Sequence, residues 1–274
     1  MSKIISEETK TNLINSYLES PVSLQEISNK FNMCSVSASR ILKEYNIPIY
    51  TKQQLSSIGL KEDYFSIIDT EDKAYFLGLF LADGCLYISE KSPRVILGLQ
   101  EQDSYMIENF KIALNSPNKL VIDKRDNFTT CCVSSPRLAS DLTNLGACNN
   151  KINRIFPNIH PDLVRHMIRG IFDGDGCITY GVSHMERKVH NSYSAKINIV
   201  AYEGVMSSLK YIIEQELGLS TYMTNESKNT NLLGINISRK YDVLKFYHYI
   251  YDNATICLQR KKIKFEEFFR LMNM

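Results

Sequence analysis

The sequence has no Cys-x-x-Cys pair, and its cysteines (Cys34, Cys85, Cys131, Cys132, Cys148, Cys177 and Cys257) are odd in number. That argues against a disulfide framework and against a zinc ribbon. Most of them are expected to be small buried residues in a reducing compartment. No apolar run approaches the length of a membrane span. The N-terminus, Met1-Ser2-Lys3-Ile4-Ile5-Ser6-Glu7-Glu8, lacks the apolar stretch of a signal peptide and is too acidic for a transit peptide. The expectation is a soluble intracellular protein, in the cytoplasm of a bacterial or phage-infected cell or in an organelle. A dominant charge is missing too: 32 Lys and Arg against 30 Asp and Glu leave +2. Any contact with nucleic acid must therefore rest on where the cations lie and not on their total.

What the chain does have is a repeat. Phe76-Leu77-Gly78-Leu79-Phe80-Leu81-Ala82-Asp83-Gly84-Cys85-Leu86 returns as Ile168-Arg169-Gly170-Ile171-Phe172-Asp173-Gly174-Asp175-Gly176-Cys177-Ile178, with five of eleven columns identical. A repeated unit points to two structural halves. Each copy reads as an apolar helix that stops at an aspartate, with the following glycine as its left-handed cap. Gly78 and Ala82, like Gly170 and Gly174, are four apart and form a stripe of small residues on one helix face. Two such stripes let helix backbones approach closely. Packing them together brings Asp83 and Asp175 side by side, each at the negative end of a helix and each facing a like charge. A divalent cation removes both penalties, so the residues themselves point to a hard-metal site.

These paired motifs resemble those of the LAGLIDADG homing endonucleases, in the form that carries two motifs in one chain, over roughly residues 60–274. The resemblance implies an α+β, pseudo-twofold, duplicated α-β-β-α-β-β-α fold. Its two antiparallel sheets would form a saddle over DNA. It implies a site-specific double-strand DNA endonuclease that works as a monomer on a long, asymmetric duplex site. It also implies Mg²⁺ (or Mn²⁺) held by Asp83 and Asp175, with the carbonyls of Ala82 and Gly174 as further oxygen ligands. Gln100, at the end of a second strand, and the basic residues Lys151 and Lys261 fill the remaining catalytic places by position. There are departures: Leu81 stands where the second copy has Asp173, Arg169 replaces an apolar or small residue, and Ala201 falls where Gln100 would have its counterpart. They suggest unequal halves. A non-cleaving DNA-binding regulator and an RNA splicing maturase acting on intron RNA are the competing readings. His184 and His190 are too ordinary a pair to carry a histidine nuclease.

The residues before the repeat read differently. Residues 1–50 read as one small domain, with three short helices expected in 7–46: one from Glu7 to Leu18, one capped by Ser23 with Glu26 completing a capping box, and one capped by Ser35. That order matches a helix-turn-helix module, whose last helix would turn Val36, Ile41 and Leu42 inward and offer Ser35, Ser37, Arg40 and Lys43 to DNA. Residues 51–70 read as a linker, 71–158 as the first half-domain and 159–274 as the second. Within each half, alternating strands leave one sheet face for DNA. Its candidates are Tyr87, Ser89, Arg94, Lys124 and Arg125 in the first half, then Tyr180, Arg187, Lys188, Lys196, Asn198 and Arg239 in the second.

Overall fold

The structure, a computed structural model, describes residues 5–89, 92–183, 192–227 and 230–272; Arg187 and Lys188 lie outside the described residues. The chain divides into a smaller unit, Met1–Leu60 with Asn115–Asn118, and a larger one, Lys61–Leu114 with Lys119–Met274.

The smaller unit contains α1 (Glu7–Glu19), α2 (Leu24–Lys30), α3 (Ser35–Glu44) and α4 (Lys52–Ser57). The first three close around Leu13, Tyr17, Ile27, Ala38, Ile41 and Leu42. The capping box of Ser23 and Glu26 opens α2 as expected. Cys34, not Ser35, occupies the N-cap of α3. Val36 points outward and is 78% exposed, because Ala38, Ile41 and Leu42 already fill the inward face. The stretch expected as a linker includes α4, opened by its own capping box of Thr51 and Gln54.

In the larger unit the element order is α5 (Glu71–Asp83), β1 (Gly84–Tyr87), β2 (Arg94–Gln100), α6 (Ser104–Ala113), β3 (Val121–Asp123), β4 (Phe128–Ser134) and α7 (Pro136–Asn144). It then repeats as α8 (Pro161–Asp175), β5 (Gly176–Ser183), β6 (Ser192–Tyr202), α9 (Glu203–Tyr211), β7 (Thr221–Asn225), β8 (Leu232–Ile237) and α10 (Lys240–Tyr251), followed by α11 (Gln259–Leu271). Each half carries a four-stranded antiparallel sheet, in the orders β1-β2-β4-β3 and β5-β6-β8-β7. Helices α6 and α7 pack on the first sheet and α9, α10 and α11 on the second. The helix-covered faces bury Leu86, Val95, Leu97, Cys131 and Val133, and Ile178, Ala195, Ile197, Ile235 and Ile237. By strand alternation Cys85, Tyr87, Arg94, Ile96 and Gln100 share the open face of the first sheet, and Cys177, Thr179, Lys196 and Asn198 that of the second.

Helices α5 and α8 pack directly on each other, and the small residues are obligatory there. A methyl carbon on Gly78 would overlap the Met167 carbonyl oxygen, and one on Gly170 would overlap that of Tyr75. On Gly174 it would meet the Ala82 side chain and the Asp83 carboxylate. The glycines that end the two helices act differently from the expectation. Gly84 (φ −71°, ψ 157°) and Gly176 (φ −97°, ψ 160°) are extended, not left-handed. They are glycine because a side chain would strike the rings of Phe80 and Phe172, four residues earlier.

Gly170→Ala should therefore cost about 1–3 kcal/mol or more, because the obstacle is backbone and neither helix can move alone. Gly181→Ala, where an added carbon would meet nothing within 4 Å, should be near neutral. Thermal denaturation of the two variants side by side checks the difference.

Candidate active site

Because the glycine contact holds α5 and α8 together, their last residues, Asp83 and Asp175, end up as neighbours. The Asp83 carboxylate lies against Gly174, one residue before Asp175. Burial pushes the Asp83 carboxyl up to about 6, and the like charge of Asp175 adds to the shift. Burial raises Asp175 as well. Three cations oppose these shifts at both acids: Lys151, Lys261 and Arg154.

The cations are fastened to the ends of the two helices. Lys261 Nζ donates to the carbonyls of Phe172 (3.1 Å), Gly174 (3.0 Å) and Gly176 (2.5 Å). The Gly174 carbonyl belongs to the last turn, where a helix leaves its carbonyls without an internal partner; the Phe172 carbonyl also accepts from the Gly176 N–H. Burial lowers the Lys261 ammonium to about 8, with Asp173 the largest opposing influence. In the first half the equivalent carbonyls are those of Phe80, Ala82 and Gly84, and Arg154 takes all three. It adds Leu81 at 2.5 Å and is itself 2% exposed. Arg154 is thus the counterpart of Lys261, in the place the sequence reading gave to Lys151. Lys151 donates to the Ala82 carbonyl at 2.5 Å, an additional cation on the first half.

The carbonyls of Ala82 and Gly174 already accept from these cations, so the unencumbered oxygen donors are the two carboxylates. Two desolvated like charges at helix C-termini make a donor set that suits a hard divalent cation, with water or a substrate oxygen completing its shell. Among the described residues no group of three or more His, Cys, Asp and Glu could hold a metal ion. Beside Asp175 opens a cavity of about 230 Å³ lined by Lys151, Arg154, Val200, Ala201 and Tyr202 among others.

The second helix carries a feature with no analogue in the first. Asp173 is fully buried and accepts from Tyr75 Oη (2.8 Å), Tyr251 Oη (2.8 Å) and the Leu258 N–H (2.6 Å). Burial still pushes it up to about 6. Arg169, also fully buried, binds the Ile250 and Ile256 carbonyls and Glu71. The two departures from the motif pattern are therefore structural, tying α8 to α5 and to the segment that leads into Lys261.

Other expected residues are more dispersed. Gln100 is exposed at the end of β2, opposite Phe128. Gly84 pairs with Leu97 and Gly176 with Ile199, so the register counterpart of Gln100 is Tyr202 and not Ala201. Tyr180 is not on the open face: its ring stacks on Phe268 and its hydroxyl donates to Glu267, both on α11. The Arg94 guanidinium covers the exposed Tyr87 ring at 4.6 Å, and Lys196 stands 5.7 Å from the Tyr222 ring. Ser89 Oγ accepts from the Ser92 N–H. Lys124 and Arg125 are exposed between β3 and β4, and Arg239 is exposed ahead of α10. In the smaller unit Arg40 and Lys43 are exposed. Ser35 is tied to Gln25 and Ser28, and Ser37 to Cys34. Contrary to the expectation of mostly buried cysteines, Cys34, Cys85 and Cys177 are exposed and only Cys131 and Cys257 are buried.

Comparison of the whole chain with solved structures gives a consistent answer. The I-LtrWI LAGLIDADG homing endonuclease bound to target DNA superimposes with a TM-score of 0.52 at 13% identity, over 78% of this chain and 92% of that one. The meganuclease I-AabMI bound to uncleaved DNA gives 0.54 at 14%, over 73% and 89%. I-SmaMI bound to uncleaveable DNA gives 0.53 at 12%, over 72% and 88%. The chain has the LAGLIDADG homing endonuclease fold. No protein-family model and no curated protein sequence matches it.

A metal-free protein should be destabilised by its own acids. The folded value of Asp83, about 6 against an ordinary 3.8, is raised, so its favourable contribution is complete only below the ordinary carboxylate range. That contribution is lost as pH rises through 6. Asp83→Asn should accordingly raise Tm in EDTA at pH 7.5, by up to about 3 kcal/mol in stability, and flatten the decline between pH 4 and 6.5. Thermal unfolding of both proteins across that range measures it.

Proposed function

We propose that this protein is a site-specific double-strand DNA endonuclease, hydrolysing one phosphodiester on each strand with divalent metal held by Asp83 and Asp175. The observation that carries this reading is the meeting of two desolvated carboxylates, one from each motif, among three fixed cations. The structural relatives support it from a second direction, since those named above were solved on DNA. Bound Mg²⁺ or Mn²⁺ would supply a Lewis acid for the phosphoryl oxygens and lower the pKa of a bound water. The protein's own contribution is positional. Arg154 and Lys261 hold the carbonyls at the two helix ends, which fixes where each aspartate leaves its helix. Lys151, the more exposed of the three, is placed to meet a phosphate and offset charge gathering on it.

The open sheet faces supply the duplex contacts through Tyr87, Arg94, Lys196 and Asn198, with Lys124, Arg125 and Arg239 at loop positions suited to phosphates. Val36, Arg40 and Lys43 on α3 give the smaller unit an outward face of the kind that enters a major groove: two cations for phosphates and an apolar group for a thymine methyl. Linked to the larger unit, it would raise local concentration at the site and lengthen the footprint. A DNA-binding regulator that had merely kept the fold would gain stability by losing either raised carboxylate, and both are present.

Incubated with a library of candidate sites and Mg²⁺, the wild-type protein should cut one sequence on both strands, and EDTA should stop it. Asp83→Asn and Asp175→Asn should each bind that site and lose double-strand cleavage by on the order of 10²–10³-fold or more. Tight, specific binding without nicking under any divalent metal would overturn the catalytic reading. Deleting residues 1–50 should weaken binding more than it slows the cutting of bound DNA.

A further inference from the structure

The open face of the second sheet holds a polar network centred on Asn236. Asn236 on β8 is fully buried, yet the register pairs it with Asn198 on β6 and Tyr222 on β7, both on the open side. Its oxygen accepts from Asn198 Nδ2 at 2.8 Å, and its nitrogen donates to Thr224 Oγ1 at 3.0 Å. The Thr224 hydroxyl in turn donates to Glu226 Oε1 at 2.6 Å, and Asn198 Nδ2 reaches the same oxygen at 3.4 Å. The carboxylate lies over Gly234, where any added carbon would strike it. At the matching places of the first sheet the register puts Ile96 opposite Cys132.

The arrangement fixes an exposed carboxylate, in one orientation, on a face proposed to meet DNA. A carboxylate is repelled by phosphates, so it needs an amino donor on a base edge; adenine N6 sits beside the acceptor N7, which a carboxylate cannot satisfy, whereas cytosine N4 is the donor that Glu and Asp read in the major groove. We infer that Glu226, oriented by Thr224, Asn198 and Asn236, selects cytosine at one base pair of the half-site contacted by the second sheet. This rests on the DNA-binding reading above and adds a specificity-determining residue to it.

The test is a binding profile of the full-length protein in EDTA against a randomised target, for wild type, Glu226→Gln and Thr224→Val. Wild type should prefer cytosine at one position by roughly 5- to 100-fold. Glu226→Gln should abolish that preference and favour adenine there, since an amide reads adenine N6 and N7. Thr224→Val, which frees the carboxylate while keeping its charge, should relax the same position and no other. If Glu226→Gln leaves the profile unchanged, or tightens binding to every sequence by one factor, the carboxylate is only a repelled charge and the inference is wrong. If wild type selects no sequence at all, the DNA-binding reading itself fails.

Discussion

The contact between Gly78 and Gly170 is the constraint on which the rest of the larger unit depends. With no side chain at either position, the backbone of α5 rests on that of α8, and the two helix ends are brought to one place. Everything chemical about the site follows from that proximity. The carboxylates are desolvated because the helices are in contact, they repel because they terminate equivalent helices, and the cations are needed because seven carbonyl oxygens and two carboxylates would otherwise crowd one small region. The acids thus keep a cost that a stability-optimised protein would shed, which is a common mark of a site kept for function.

The two halves have met the same requirement with different residues. One end is held by Arg154, permanently charged and forked, and reinforced by Lys151; the other is held, among the described residues, by Lys261, whose ammonium burial has brought down to about 8. The sheets have diverged similarly, one offering Ile96 and Cys132 where the other offers Asn198 and Asn236. Sameness is kept in the helix pair itself, its glycines, phenylalanines and terminal acids, and difference lies in the groups that surround it.

Much of this was legible in the sequence. The duplicated motif, the small-residue stripe and the strand periods identify the fold, because each depends on local pattern: a glycine every fourth residue, apolar residues in alternation. Arg154 was hidden because its role depends on a long-range contact with carbonyls some seventy residues earlier, which no spacing rule encodes. Tyr180 was misplaced because exposure at a strand position cannot tell an open face from one covered by α11, an element outside the repeat. Gly84 and Gly176 looked like left-handed caps, since a helix followed by glycine usually ends that way; here steric contact with Phe80 and Phe172 selects glycine instead.

The hydrogen bond from Tyr75 to Asp173 and the ion pair of Glu71 with Arg169 both cross between the halves. With the motifs offset by 92 positions (170 − 78), the residues matching Tyr75 and Asp173 are Met167 and Leu81, and those matching Glu71 and Arg169 are Leu163 and Leu77. A symmetric dimer of the first half would bury a tyrosine against leucine, and one of the second would cost Asp173 its Tyr75 bond and Arg169 its Glu71 ion pair, leaving only their bonds within that half. These contacts favour the pairing of the two unlike halves over either half paired with a copy of itself.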